Sequence, residues 1–118
     1  MNGMVEFYKI GSAQSLIYHN GDVDTVFSVS PPAGIINDIK PYGQTKLLSD
    51  GDTILMMSDG ISQAGYGMVR TEWLKKQVLK SFGTMEEMAQ SVLDTAVKKC
   101  RNDVSDDMTV AAIRLIEN

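Results

Sequence analysis

Residues 50–61, Asp50-Gly51-Asp52-Thr53-Ile54-Leu55-Met56-Met57-Ser58-Asp59-Gly60-Ile61, decide how this chain is read. The run opens on an Asp-Gly turn and continues through Thr53–Ser58, apolar at every position from Ile54 to Met57. A short segment apolar on both faces is expected to be a central strand covered on both sides. It closes on a second Asp-Gly pair. Upstream, Thr45-Lys46-Leu47-Leu48 leads into the first turn, so Thr45–Ser58 reads as a hairpin. Further back, Val5–Ile10 and Ser15–Tyr18 read as strands, and Asn20-Gly21 supplies the positive φ angles of a type I′ turn into a returning strand Val23–Val29. Ser30-Pro31-Pro32-Ala33-Gly34 must interrupt that strand, because adjacent prolines remove ladder donors.

Downstream, Gly60, Gly65 and Gly67 predict a loop. Thr71 predicts the N-cap of a helix through Phe82, with Leu74, Val78 and Phe82 on one stripe and Gly83 ending it. Thr84-Met85-Glu86-Glu87 has the pattern of a capping box. Behind it Met85, Met88, Ala89, Val92, Leu93, Ala96, Val97 and Cys100 recur at helical spacing, and Lys98, Lys99 and Arg101 crowd the end where the helix dipole favours cations. Met108–Ile116 returns as a strand. The class is α+β, antiparallel strands with helices packed on them.

The bulk properties narrow the chemistry. The chain has 118 residues, 43% hydrophobic and 22% charged, the composition of one small globular domain or part of one. Eleven Lys+Arg face fifteen Asp+Glu, a net of −4, which gives no electrostatic case for nucleic acid or an anionic membrane. No apolar run approaches the roughly 20 residues of a membrane span. One cysteine and one histidine exclude an internal disulfide, a Cys-based zinc site and paired-His metal motifs. Carboxylates, hydroxyls, lysines and backbone remain.

Two carboxylate elements stand out. Asp59 ends the central strand and is followed at once by Gly60. Asp106 and Asp107 immediately precede the last strand. If these strands are antiparallel neighbours, both elements lie at the same sheet edge. Such a cluster repels itself unless it holds a cation, and all-oxygen ligation selects magnesium or manganese over zinc. Gly60 would keep a side chain from crowding the ion. The plainer reading is that each Asp is a turn residue, as Asp50 in Asp50-Gly51 is read to be. His19 reads as an exposed turn residue, Cys100 as a small core residue and the methionines as packing. Trp73 is a candidate for a partner surface, and Ile35 and Ile36 for a loop that closes the core or meets a regulatory helix.

The ordered series resembles the metal-dependent PPM-type serine/threonine protein phosphatases, in their bacterial branch. It is carried by FYKIGSAQSLIYHNGDV (7–23), PPAGIIN (31–37), DGDTILMMSDGI (50–61) and DDMTV (106–110), and spans nearly the whole chain. The resemblance implies an antiparallel β-sandwich flanked by helices, with two manganese or magnesium ions at one edge and a metal-activated water attacking phosphoserine or phosphothreonine. By motif match Asp59 and Asp106 would be metal ligands, with Asp107, at a position often Asn, second. The implied substrate is a phosphorylated anti-sigma-factor antagonist in sporulation signalling, in the cytoplasm, with any membrane anchor upstream. The family's first metal-binding elements, an acidic residue and an Asp-Gly pair on early strands, have no match here. Residues 1–118 therefore read as a single partial domain, its C-terminal half, inactive alone and prone to self-association where Val5–Ile10 or Ile54–Met57 lack strand partners. The alternative is a non-catalytic interaction or dimerisation module of the same fold.

Overall fold

The computed structural model describes residues 3–28, 33–38, 42–64, 72–101 and 106–117. The expectations placed on Val29, Ser30, Pro31, Pro32, Pro41, Gly65, Gly67, Thr71 and Ser105 lie outside the described residues. Among the described residues six strands and three helices follow one another: β1 (Met4–Lys9), β2 (Ser15–His19), β3 (Asp22–Val26), β4 (Tyr42–Leu47), β5 (Thr53–Met57), α1 (Asp59–Ser62), α2 (Glu72–Val78), α3 (Met85–Lys99) and β6 (Val110–Arg114). All strand pairings are antiparallel, in a four-stranded sheet of order β3-β2-β5-β6 and a two-stranded sheet β1-β4.

The β2–β3 hairpin forms as expected, with Asn20 and Gly21 at φ +48° and +85°. The second expected hairpin does not. The Asp50-Gly51 turn exists, with the Asp52 amide donating to the Ser49 carbonyl at 3.0 Å, but its two strands part into different sheets. β4 pairs with β1 and β5 enters between β2 and β6. The patterns explain the split. β5 is apolar on both faces and belongs in the centre, whereas β4 is polar from Gln44 to Lys46 and can leave one face in water.

The sheets stack as a sandwich, with the helices on the far side of the larger one. Period-2 alternation sorts the large sheet's side chains. Leu16 and Leu55 point to the helices, where Ile61, Trp73, Leu74, Val78, Met88, Val92 and Ala96 complete a buried core. Ile17, Val26 and Ile54 point the other way, against Phe7 and Leu48. Each fully buried aliphatic side chain contributes about 1.5–3 kcal/mol. Two strands cannot cover four, so Met56 and Ile113, on the sandwich-facing side of β5 and β6, stay 40% and 46% exposed. For Ile54–Met57 the expectation of a missing strand partner is corrected, since β5 is paired on both sides, whereas among the described residues β1 is paired along one edge only.

Both main helices are present, with corrected ends. α3 carries its capping box: Thr84 Oγ1 accepts from the Glu87 amide at 3.1 Å, while Glu87 Oε2 reaches back to the Gly83 amide at 3.1 Å. α2 stops at Val78, not Phe82, after its last turn tightens to a Lys80 N to Gln77 O bond of 3.2 Å. Phe82 joins the core from the connection beyond. Cys100 caps α3 at the core's margin. Trp73, a candidate for a partner surface, is buried at 7% exposure with the Lys99 ammonium 5.7 Å from its ring centre. Ile35 and Ile36 are exposed and do not close the core. Among the described residues no helix is long and apolar enough to cross a membrane.

His19 is not a free turn residue. It ends β2, and its Nδ1 lies 2.6 Å from Oδ2 of buried Asp52, which also accepts from the Ser49 amide at 2.8 Å. The pair ties the β2–β3 turn to the β4–β5 corner. Removing the ring leaves a buried carboxylate short of a partner, so His19→Ala is expected to destabilise the fold by about 1.5–3 kcal/mol. Urea unfolding checks it. A loss below about 0.5 kcal/mol, the usual result at an unconstrained surface position, would return His19 to the turn reading.

Candidate metal centre

The acidic end of the sheet is built by the pairing of β5 with β6, in which Met57 stands opposite Val110. One residue beyond, Ser58 fastens the two acidic elements together. Its amide donates to the Thr109 carbonyl at 2.9 Å. Its Oγ accepts from the Thr109 amide at 2.9 Å and donates to the Asp107 carbonyl at 3.2 Å. Ser58 occupies the N-cap position of α1 but makes no side-chain cap, because its hydroxyl is engaged across the sheet. Sequence reasoning quoted this serine without giving it a role.

The loop expected at Gly60 is instead the one-turn helix α1, with Asp59 as its first residue and Ile61 anchored in the core. The purpose assigned to Gly60 also changes. A Cβ on Gly60 would fall 2.2 Å from the Asp107 carbonyl oxygen and 3.0 Å from its carbon. Glycine here makes room for the backbone of the other acidic element, so close approach of two main chains requires it. The two motifs are thus in direct contact although Gly60 and Asp107 lie 47 positions apart.

Asp59, Asp106 and Asp107 are all exposed. Asp106 Oδ1 accepts from the Asp107 amide at 2.8 Å, which orients its carboxylate as a turn would. Asp107 contributes its carbonyl to the Ser58 contact and leaves its side chain in solvent. No ion pair engages these three carboxylates among the described residues. Lys9, which closes β1 at the same end of the sandwich, donates to the Ala13 carbonyl at 2.7 Å and lies 3.4 Å from Ser12 Oγ. Burial lowers its pKa from the ordinary lysine value.

The donor set is oxygen only, which fits a hard divalent cation and not zinc. Among the described residues, however, no group of three or more His, Cys, Asp or Glu is gathered closely enough to hold a metal ion. Asp59 and Asp106 are brought to one edge of the sheet, as the sequence predicts.

The model of the family "Stage II sporulation protein E (SpoIIE)" matches residues 1–116. Stage II sporulation protein E of Bacillus subtilis (strain 168) is 30% identical over 115 residues, which cover 96% of this chain and 14% of that protein. A solved structure of the PP2C phosphatase domain and a fragment of the regulatory domain of B. subtilis SpoIIE superposes with a TM-score of 0.88 at 28% identity, covering 97% of this chain and 34% of that one. The manganese-presoaked phosphatase domain alone superposes with a TM-score of 0.81 at 27% identity, covering 98% of this chain and 52% of that one. The chain thus spans about half of a phosphatase-domain structure and a small part of the curated relative. With its α+β sandwich and its match over 116 residues, the chain belongs to the stage II sporulation protein E family, in the segment that forms the PP2C-type phosphatase domain of the B. subtilis member.

Proposed function

We propose that the Asp59-Gly60 and Asp106-Asp107 elements are part of the divalent-cation site of a phosphoserine/phosphothreonine protein phosphatase. The observation that carries this reading is the contact of Gly60 with the Asp107 carbonyl, which sets two exposed acidic elements side by side. Asp59 and Asp106 would hold manganese or magnesium, with Asp107 second, and the remaining ligands come from outside the described residues. When bound, such ions lower the pKa of a water and neutralise charge on the phosphoryl oxygens. The chain's own residues do the positioning. Ser58 locks the end of β5 to the start of β6, α1 aims Asp59 away from the core, and Gly60 sets the spacing of the two main chains. Kinship with the sporulation protein supports a phosphorylated anti-sigma-factor antagonist as substrate, met in the cytoplasm.

Chelation tests the reading. Phosphate release from a phosphoserine protein by the complete phosphatase domain is expected to stop with EDTA and return with manganese or magnesium at or below about millimolar concentration. The 118-residue chain assayed alone is expected to show none, because an incompletely ligated hard ion keeps its water shell and binds weakly. Chelator-resistant release by the complete domain would overturn the mechanism.

The exposed Met56–Ile113 face favours a second reading, a non-catalytic interaction or dimerisation module. An acidic residue plus Asp-Gly on an earlier strand of the parent protein separates the two, since only the enzyme needs them. Sedimentation of the 118-residue chain tests self-association: concentration-dependent dimers are expected, and a monomer throughout would count against it.

A further inference from the structure

On the helix-facing side of the large sheet, at the end away from Asp59, Tyr18 of β2, Thr53 of β5 and Arg114 of β6 stand directly opposite one another. A phenol, a hydroxyl and a guanidinium therefore form one row across three strands. The α2–α3 connection closes over this row with Lys80 and Phe82, and Met88 of α3 completes a cavity of about 320 Å³.

Three properties of the row point to a ligand. Thr53 and Tyr18 both line the cavity, and among the described residues neither hydroxyl makes a hydrogen bond within the protein, so both are open to an occupant. Arg114 uses one donor, on the Phe82 carbonyl at 3.3 Å, which leaves most of its five N–H groups unspent. No carboxylate lines the cavity, and among the described residues neither Arg114 nor Lys80 is in an ion pair. Arg114, an unpaired cation lining this concavity in a chain of net −4, concentrates positive potential where an anion can use it, while Lys80 stands on the rim shared with a neighbouring cavity that Glu87 and Asp94 line.

The lining defines the anion. A guanidinium fork matches an oxyanion with two parallel bonds, and hydroxyls beside it donate to the same oxygens. Phe82 and Met88 belong to the buried core or its margin and offer apolar wall, which a bare inorganic ion cannot use. We propose that this cavity binds a small oxyanion carried on an apolar body, a carboxylate or phosphoryl group on an aromatic or short aliphatic stem. Thr53 and Met57 stand at opposite ends of the five-residue β5, roughly 13 Å of strand, so the occupant is distinct from anything held at Asp59. The inference does not depend on the phosphatase reading.

Amide chemical shifts of the purified protein, titrated with phenylphosphonate, benzoate and inorganic phosphate in excess EDTA, test it. The chelator keeps cations from drawing the probes to the acidic end. Phenylphosphonate or benzoate is expected to shift Gly51, Thr53 and Ser81 saturably, the tighter of the two naming the preferred oxyanion. Inorganic phosphate is expected to bind about tenfold more weakly, for want of the apolar body. Arg114→Gln should weaken binding about tenfold or more, and Tyr18→Phe, which keeps the ring, about threefold. The proposal is overturned if no probe saturates, if phosphate alone binds as tightly, if the shifts map to Asp59 and Asp106, or if both variants, folded by their remaining shifts, bind undiminished.

Discussion

Asp59→Asn, made in the complete phosphatase domain, is expected to lower manganese-dependent dephosphorylation by about 100-fold or more at fixed metal concentration. The substitution keeps side-chain volume and one carbonyl oxygen but removes the charge that holds a hard cation. A metal's electrostatic contribution to phosphoryl transfer is several kcal/mol, and each 1.4 kcal/mol is about tenfold in rate. Asp59 is exposed and in no ion pair among the described residues, so the fold does not depend on its charge. Thermal unfolding should accordingly move little. The control is the other Asp-Gly turn. Asp50 Oδ1 accepts from the Glu117 amide at 2.8 Å, and asparagine retains that acceptor. Asp50→Asn should leave turnover within about twofold, as expected of a surface substitution that keeps its bond. Equal losses at the two positions would erase the distinction between a ligand and a turn residue.

The second large effect is expected at Gly60. In Gly60→Ala the new methyl would sit 2.2 Å from a backbone oxygen, well inside contact distance, and the atom it meets cannot rotate away. The β5–α1 junction and the Asp107 strand entry must then separate. That strains the Ser58 bonds to Thr109 and Asp107, and the expected cost is about 3 kcal/mol, at the upper end for overpacking. Gly51→Ala is the informative partner. Gly51 has φ +87° and nothing within 4 Å of its would-be Cβ, so alanine there meets only backbone strain of about 1–2 kcal/mol. Urea unfolding of both variants should rank Gly60→Ala as the more damaging, with metal-dependent activity lost beyond what stability explains. The reverse ranking would mean that the close approach is relieved without cost.

Much of this was legible because local chemistry decided it. The Asn20-Gly21 turn, the Thr84 capping box and the α3 stripe are each settled within a few residues, by positive φ, by one reciprocal pair of hydrogen bonds and by helical period. The convergence of Asp59 with Asp106 was legible at one remove. It required only that two apolar strands be antiparallel neighbours, and their both-sided or half-buried character made that pairing favourable.

What the sequence could not decide is which elements share a sheet and what each side chain meets there. An Asp-Gly turn between two extended segments is the same locally whether the strands pair or part. Only the competition for partners sends β4 to β1 and β5 between β2 and β6. His19 and Asp52 lie 33 positions apart, and Gly60 and Asp107 lie 47 apart, so neither contact leaves a mark in any local window. Trp73, beside the Leu74 stripe and near a glycine-rich segment, left core and partner surface both open, while the core it enters is assembled from β2, β5 and α3. Sequence by itself determined most strands, the α3 helix and the oxygen-only donors at the acidic edge, because those follow from period, turn stereochemistry and side-chain type. Tertiary structure alone decided the sheet order, the function of Gly60 and Ser58, and the Tyr18–Thr53–Arg114 row, because each depends on backbone approach between segments distant in the chain.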